Sequence, residues 1–393
     1  MDDSALLRSV FGGSRGWLGS NRDNSATRPK LQPFGAAETR LPLNGARHDD
    51  WFFVLECDRH WWRSHPSLYH LCDDYCSCDS RLPEPDRVCL GPNILMGKNS
   101  KAGRSAYGAA ATRAMEMFEP ASLRLFEDNL VIDLLPPFAR FMLRRASIRS
   151  WFKNWFERQA PGIQGALLCR TRSIDDMVKA GIARGLRDVV ILGAGLDTRA
   201  YRLPELASAR VLELDLPHVQ ASKRARLTRS LAAPGSHVRF VPIDFNVAAF
   251  DTALAASGFD ASRPALFLWE GVSQYLQPAA VDVVLRTIAA GPEGCELVFT
   301  YVLEEAVTGR FRPDHAADFR KVTSRLPEPW LFGIEPSNLQ AFLADRGLAL
   351  CEDVGAEEHT ARYLQPIHRE LAVSPIERVA RARVPPHPAP PVR

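Results

Sequence analysis

Residues 189–202 constrain the fold of this chain more than any other stretch. They begin with the apolar run Val-Val-Ile-Leu, which stops abruptly at Gly193-Ala194-Gly195. A short apolar run rich in β-branched residues is typical of a parallel strand that is buried on both faces. Asp197 and Thr198 then offer helix caps, so the turn is predicted to open a helix whose first N–H groups point outward. The stretch therefore predicts the strand, the turn and the helix start of a nucleotide site.

The same turn lacks the residues that phosphate groups require. A dinucleotide fingerprint needs a third glycine three residues after the second, where this chain has Thr198. No lysine follows the glycines at the distance found in a phosphate-binding P-loop. The turn therefore suits a nucleoside without phosphates, and a plain glycine turn without a ligand stays open as an alternative.

A second apolar strand is predicted at residues 210–215, and it ends in acidic side chains. Glu213 and Asp215 lie about 20 residues beyond the glycines, the spacing at which a carboxylate accepts both ribose hydroxyls. A carboxylate at this position also rejects a 2′-phosphate. The alternative is that one of the two caps the helix that begins near Pro217.

Four motifs in a fixed order resemble those of a known family. They are the segments 192–203, 212–217 with Lys223, 243–245 and 269–276. Together they resemble the S-adenosylmethionine-dependent methyltransferases related to leucine carboxyl methyltransferase. The resemblance extends from about Lys101 to about Val373, and the ordered combination is more specific than any single motif.

The resemblance implies S-adenosyl-L-methionine as the cofactor. The cofactor-binding residues that we expect are Arg170, Gly193, Ala194, Gly195, Asp197, Glu213, Asp215, Asp244, Phe245 and Glu270. The methionine end of this cofactor is a zwitterion, and a guanidinium binds its carboxylate in bidentate fashion better than an ammonium does. By resemblance Arg170 fills this role, whereas Arg172 is expected to pair with Asp175 or Asp176 on the surface.

The resemblance also assigns the adenine and acceptor ends of the site. It puts adenine recognition at Asp244, which can accept the amino proton, and at Phe245, which offers a backbone N–H and a flat apolar wall. It puts Glu270 beside the methionine moiety and Tyr275 in the acceptor pocket, so Tyr275 is our candidate catalytic residue. The alternatives are that Asp244 caps a loop and that Tyr275 belongs to the core.

The pattern of apolar runs predicts an α/β fold. The expected architecture is the class I methyltransferase sheet, Rossmann-like, doubly wound and seven-stranded, with an N-terminal helical cap. Helices are predicted at 106–118, 123–135, 138–156, 176–184 (capped by Ser173 or Asp175), 223–231, 279–290 and 337–345. Strands are predicted at 189–192, 210–215, 238–243, 265–269, 296–301, 348–354 and around 371–373.

This pattern divides the chain into four parts. Residues 1–100 form an atypical, loosely ordered extension, and residues 101–168 form the helical cap. Residues 169–378 form the cofactor-binding domain, and residues 379–393 form a disordered, proline-rich tail. In related methyltransferases such a cap covers the cofactor and shapes the acceptor pocket.

The extension contains a cluster of cysteines with a histidine. His70, Cys72, Cys76 and Cys78 have ligand types that suit zinc, but their spacing matches no paired Cys-x2-Cys knuckle, so we predict no metal. A disulfide framework is not expected without an export signal. An alternative is that the native protein begins near Met96.

Composition excludes several partners. The net charge is +3 in 393 residues, which indicates neither a nucleic-acid partner nor an anionic membrane surface. No apolar run reaches about 18 residues and no basic-then-apolar leader follows Met1, so we expect a cytoplasmic location. The motifs do not determine the oligomeric state.

The motifs predict an S-adenosylmethionine-dependent methyltransferase that methylates a carboxylate or a hydroxyl on a small molecule. A carboxylate acceptor needs no general base, whereas a hydroxyl would need one, for which His315 or His359 are candidates. Both histidines are expected to be surface or loop residues. The alternatives are a non-catalytic cofactor-binding protein and an NAD-dependent oxidoreductase, which would want a glycine at Thr198.

Overall fold

The computed structural model describes residues 102–231, 235–246, 250–311 and 329–386. The interpretations of residues 1–100, including the zinc cluster and the start near Met96, lie outside the described residues, and so does His315.

A seven-stranded sheet organises the described part of the chain. Its strands are β1 (Asp188–Leu192), β2 (Arg210–Asp215), β3 (Val238–Pro242), β4 (Ala265–Trp269), β5 (Glu296–Val302), β6 (Ala349–Val354) and β7 (Glu377–Arg383). Their order is β3-β2-β1-β4-β5-β7-β6. The strands β1 to β5 pair in parallel, and β7 runs antiparallel between β5 and β6. The predicted doubly wound α/β fold is confirmed.

Helices connect the strands and precede them. They are α1 (Ala102–Glu116), α2 (Leu130–Leu134), α3 (Pro137–Leu143), α4 (Ala146–Gln159), α5 (Ile163–Ala183), α6 (Arg199–Arg202), α7 (Pro217–Ser230), α8 (Phe250–Ala256), α9 (Pro278–Ala289), α10 (Glu304–Val307), α11 (Leu339–Ala344) and α12 (Ala356–His359). A π-helical turn, Thr360–Leu364, continues α12. Short 3-10 turns lie at Ala121–Leu123, Pro204–Leu206, Ser273–Tyr275, Pro336–Asn338 and Gln365–Ile367.

Alternate residues of β1 enter two different hydrophobic clusters. Val190 and Leu192 pack in a cluster that includes residues of α9, whereas Val189 and Ile191 pack in one that includes residues of α5. Successive side chains of a strand point to opposite faces, so both faces of the sheet are buried here. This explains why β1 reads as a continuous apolar run. The loops after the central strands are thereby held by a rigid core.

The helix expected at 176–184 begins much earlier, and the predicted caps are wrong. Gly162, with a φ of 75°, precedes the first residue of α5, and both Ser173 and Asp175 are buried inside the helix. Asp175 is tolerated there because arginines pair with its carboxylate. Arg170 consequently lies in the middle of a helix, and the boundary expected between residues 168 and 169 falls within α5.

The cap region is helical, but its predicted helices are broken. The helix expected over 138–156 is divided into α3 and α4 at Arg145, whose φ of −92° and ψ of 118° are extended. Arg149 donates to the Leu143 carbonyl at 2.7 Å and so satisfies one backbone acceptor at the end of α3. Within the predicted helix 123–135, the α-helical part is limited to α2.

The last strand lies at β7 and not around residues 371–373, as the sequence predicted. Its residues Glu-Arg-Val-Ala-Arg-Ala-Arg carry charges that obscure the apolar pattern of a strand. Those charges are compensated across the sheet, because Arg378 pairs with Asp353 of β6 at 2.9 Å. The sheet therefore extends to Arg383, beyond the boundary expected at residue 378.

Candidate functional site

A cleft of about 550 Å³ lies where the central parallel strands end. Its walls are formed by residues 191–197, 215–216, 243–246, 270–272 and 274–276, together with side chains of the cap, of α5 and of residues 329–331 and 376–377. The carboxyl ends of parallel strands are where open α/β sheets bind ligands. The cleft collects all but one of the predicted site residues, the exception being Glu213.

The glycine turn after β1 is held against the motif that follows β4. Gly193 and Gly195 have φ values of 65° and 41°, in the left-handed region that favours glycine. A Cβ atom on Gly193 would lie 2.3 Å from Cγ2 of Val272. The close approach therefore excludes any side chain at Gly193.

Asp215 lies at the end of β2 and fixes the turn. One carboxylate oxygen accepts a hydrogen bond from the Gly195 N–H at 2.5 Å, and the other accepts one from the Leu216 N–H at 2.6 Å. Burial raises the pKa of Asp215, against the effect of these donors. Because each carboxylate oxygen has more than one lone pair, Asp215 can still accept from hydroxyl groups in the cleft.

Glu213 does not reach the cleft. It is 1% exposed, and its carboxylate pairs with the equally buried Lys223 of α7, the N···O distance being 2.7 Å. Glu213 and Asp215 lie on one face of β2, but α7 covers the first and leaves the second at the edge of the sheet. The sequence prediction that Glu213 belongs to the site is therefore not supported by its position.

Arg170 of α5 connects two acidic side chains in the cleft wall. Its Nε donates to Oε1 of Glu270 at 2.8 Å, and its Nη1 donates to Oε2 of Glu377 at 2.6 Å. The remaining nitrogen, Nη2, faces Gly271, on which a Cβ atom would be 3.7 Å away. Glu377 was not predicted from the sequence, because its strand was assigned elsewhere.

Arg199 forms a second buried ion-pair centre. The sequence analysis did not assign this residue to the site either. It is 1% exposed and donates to Asp175 at 2.7 Å, to Asp197 at 2.6 Å and to Glu270 at 2.5 Å. Burial alone would raise the pKa of Glu270, but the guanidiniums of Arg199 and Arg170 outweigh it and lower that pKa to about 2. Its place in the sequence could have indicated a role in the site, because Arg199 lies within the first of the four motifs, residues 192–203.

Asp244 and Phe245, the pair that the sequence assigned to adenine recognition, both line the cleft. Oδ1 of Asp244 accepts a hydrogen bond from the Asn246 N–H at 3.0 Å, which orders the loop after β3. The Phe245 ring contacts Phe250, with 6.0 Å between the ring centroids. The pair can therefore offer one carboxylate oxygen and one aromatic face to a planar base.

Another part of the cleft lining is apolar. Tyr275 lies in a 3-10 turn there, and Gln274 beside it is 5% exposed. The apolar wall, as we call it below, consists of Phe156, Ile163, Leu167, Val302, Trp330, Leu331 and Ile376. Such a wall is suited to an apolar part of a ligand.

His359 is not a surface histidine. It is 2% exposed, lies outside the residues that line the cleft, and contacts the Tyr363 ring. Burial, assisted by the positive charge of Arg362, lowers its pKa to about 4. It is therefore unsuited as a general base for a compound bound in the cleft. In residues 102–386, apart from the gaps, no group of three or more potential ligands could hold a metal.

No helix in the described residues is long and apolar enough to cross a bilayer.

Comparisons with known proteins give a consistent result. The family model of leucine carboxyl methyltransferase matches residues 106–289. A protein named "Putative S-adenosyl-L-methionine-dependent methyltransferase" from Mycolicibacterium gilvum is 37% identical over 206 residues, which are 52% of this chain and 67% of that protein. A protein of the same name from Mycolicibacterium smegmatis is 31% identical over 241 residues, which are 59% of this chain and 72% of that protein.

Other relatives are matched over less of their length, for example 62% of one from Mycobacterium avium. Among solved structures, a "putative methyltransferase" from Thermobifida fusca has a TM-score of 0.43 and 19% identity, covering 62% of this chain and 90% of that one.

The strand order, the antiparallel β7 and the cleft at the carboxyl ends define a class I methyltransferase fold. The chain belongs to the family of S-adenosylmethionine-dependent methyltransferases related to leucine carboxyl methyltransferase.

Proposed function

We propose that this chain transfers the methyl group of S-adenosylmethionine to an oxygen atom, of a carboxylate or of a hydroxyl, on a small molecule. The observation that carries the proposal is the meeting of the glycine turn, Asp215, Arg170 and Glu270 in one cleft. These residues could bind both the nucleoside end and the amino-acid end of the cofactor. The apolar wall beside them could bind the methyl acceptor.

The residues present fit this cofactor. Gly193 and Gly195 line the cleft and carry no side chains, so an adenosine could pack against the backbone of the turn. Asp215 would accept from the ribose hydroxyls, and Asp244 with Phe245 would hold the adenine. At the other end, Nη2 of Arg170 would bind the methionine carboxylate. Glu270 supplies negative charge where the cofactor carries its ammonium and sulfonium charges.

When bound, the cofactor supplies an electrophilic methyl group on a sulfonium. The contribution of the protein is to orient the acceptor oxygen in line with that group and to exclude water. The apolar wall would exclude water. The buried ion pairs of Arg170 and Arg199 hold the cleft rigid, so that the acceptor oxygen can be oriented. A carboxylate acceptor needs no further help, because it is ionised at neutral pH.

The contacts of Thr198 argue against the NAD-dependent alternative. Thr198 is fully buried, and its hydroxyl donates to Oδ2 of Asp128 at 2.8 Å. A dinucleotide site has a glycine at this position, so that the helix can approach the strand beneath a pyrophosphate. In this chain, the hydrogen bond from Thr198 to Asp128 instead connects the turn to the helical cap.

Isothermal titration of the full chain with S-adenosylhomocysteine tests the proposal, with NAD as the parallel control. We expect binding of the first and none of the second. Mass spectrometry of acceptor mixtures with S-adenosylmethionine then separates an enzyme from a binding protein, because only an enzyme yields products heavier by one methyl group. Absence of S-adenosylhomocysteine binding would contradict the proposal.

A further inference from the structure

A second cavity, of about 500 Å³, lies at the opposite edge of the sheet, where β1, β2, β4 and β5 begin. Because β1 runs from Asp188 at this cavity to Leu192 before the glycine turn, its length of about 16 Å separates the two sites. We call this the basal cavity. Its volume is typical of a site for a small molecule. Its lining contains five arginines, namely Arg184, Arg187, Arg210, Arg263 and Arg383.

Two carboxylates in the lining hold three of these arginines in place. Nε and Nη2 of Arg184 donate to the two oxygens of Glu296 at 2.8 Å and 2.6 Å. Nε and Nη2 of Arg210 donate to the two oxygens of Asp188, each at 2.5 Å, and Nη2 of Arg263 lies 3.4 Å from the same carboxylate. In all three arginines Nη1 has no hydrogen-bond acceptor among the described residues. The carboxylates therefore orient the guanidiniums and leave one nitrogen of each for a ligand.

The other two arginines are not held by a carboxylate. Nη1 of Arg187 donates to the carbonyls of Ile182 and Leu186 at 2.7 Å and 2.8 Å, and so covers two acceptors at the end of α5 that would repel an anion. Arg383 is the register partner of Glu296 on β5 and is exposed. In the part of the chain that the structure describes, the Arg383 side chain makes no hydrogen bond and no ion pair. Both guanidiniums can therefore donate to a ligand without first breaking an ion pair.

The basal cavity carries an excess of positive charge. Five arginines and two carboxylates line it, which leaves three positive charges in excess. Glu293, next to the lining residue Gly294, is exposed and lowers this excess to two without changing its sign. Guanidiniums bind phosphate groups in bidentate fashion, and a pyrophosphate carries about three negative charges at neutral pH. Four further charged residues are linked to the lining through ion pairs and cancel one another, namely Asp260, Glu352, Arg362 and Arg381.

We propose that the basal cavity binds a small molecule that is, or carries, a pyrophosphate group, at a site separate from the cleft. Asp188 and Glu296 orient the guanidiniums, and the remaining N–H groups of the five arginines donate to the phosphate oxygens. Donors that are already oriented lose less side-chain entropy on binding than mobile arginines would. A ligand with a single carboxylate would leave part of the positive charge unmatched. The inference does not depend on the methyl transfer proposed above.

Calorimetric titration of the full chain with sodium pyrophosphate, in the absence of divalent metals, tests the inference. We expect one site per chain and an affinity at least about tenfold higher than that for inorganic phosphate, because the second phosphoryl group reaches further guanidiniums. The affinity should fall as the ionic strength rises from about 0.05 M to about 0.3 M, since partly exposed charges are screened. Uridine diphosphate separates two sources of the group: tighter binding than that of the free ion assigns the site to a nucleotide, and equal or weaker binding assigns it to inorganic pyrophosphate.

Variants assign the binding to the basal cavity. Arg383→Gln removes a side chain that has no ion pair among the described residues, so the fold should be kept while pyrophosphate binds about tenfold more weakly. Arg310→Gln makes the same charge change at an exposed arginine beyond the carboxyl end of β5, and it should leave the pyrophosphate affinity unchanged. Thermal unfolding without ligand checks that both variants are folded, and neither should alter the affinity for S-adenosylhomocysteine.

Three results would overturn the inference. They are the absence of pyrophosphate binding at low ionic strength, an affinity no higher than that for inorganic phosphate, and equal losses in Arg383→Gln and Arg310→Gln. Because S-adenosylhomocysteine binds at the other edge of the sheet under the proposed function, its binding without pyrophosphate binding would leave that function intact. Pyrophosphate binding without S-adenosylhomocysteine binding would support the basal cavity and contradict the proposed function.

Discussion

Nη1 of Arg199 donates to Oε2 of Glu270 at 2.5 Å, and this contact joins the helix after β1 to the loop after β4. The two residues are 71 positions apart in the chain. Each also pairs with a further partner, Arg199 with Asp175 and Glu270 with Arg170. One buried network therefore holds together the turn, α5 and the strand end that surround the cleft.

Removal of the Arg199 guanidinium should destabilise the whole fold. Arg199→Met removes a guanidinium that three buried carboxylates share: Asp197 loses this ion pair, while Asp175 keeps Arg202 and Glu270 keeps Arg170. We therefore expect a loss of about 3–5 kcal/mol in the free energy of unfolding. Urea titration monitored by circular dichroism measures it. Arg286→Met is the matched control, since Arg286 pairs with Asp282 four residues before it while about 58% exposed, and should cost about 0–1 kcal/mol. Equal losses would contradict a special role for the buried network.

Arg170 should determine affinity for the amino-acid end of the cofactor. Arg170→Met removes the nitrogen that faces Gly271, so S-adenosylhomocysteine should bind about 30- to 150-fold more weakly, or about 2–3 kcal/mol. 5′-Methylthioadenosine, which lacks the carboxylate, is the control ligand and should lose much less. If calorimetry gives equal losses for both ligands, Arg170 acts on the cleft as a whole and not on a carboxylate.

Asp215 should show the opposite pattern. Asp215→Asn replaces an oxygen that accepts from a backbone N–H and, under the proposed function, from a ribose, and should therefore weaken every ligand that contains the ribose. We expect S-adenosylmethionine, S-adenosylhomocysteine and 5′-methylthioadenosine to lose affinity by the same factor, about tenfold. Equilibrium titration of the three ligands measures the factors, and unequal factors would point to a different role for Asp215.

His359 should make the fold sensitive to mild acid. Its pKa is lowered from 6.5 to about 4 in the folded chain. Between these values the folded state binds fewer protons than the unfolded state, so stability falls as the pH is lowered from 6.5 towards 4. The full effect of His359 is about 3 kcal/mol. Thermal unfolding at pH 7 and pH 5 measures the trend.

His359→Leu isolates this contribution, because it removes the titrating ring while other groups keep theirs. The difference in Tm between pH 7 and pH 5 should be smaller in the variant than in the parent chain. An equal difference in both proteins would assign the acid sensitivity to other residues.

Several strands could be predicted from the sequence because they are buried on both faces. The apolar runs of β1 and β4 need no partner to be recognised, and the glycine turn follows β1 directly. The last strand could not be predicted in this way. Arg378 and Arg381 of β7 are compatible with a strand only because acidic residues of neighbouring strands pair with them.

The sequence by itself determined the fold class, the turn and the acidic end of β2, because each depends on residues close together in the chain. Only the tertiary structure decided which acidic residue serves the cleft, since helix α7 covers Glu213 and leaves Asp215 at the edge. It also decided the roles of Arg199 and Glu377, whose partners come from distant segments. The energy of a buried charge depends on what surrounds it, and for these residues the surroundings are assembled only when the chain folds.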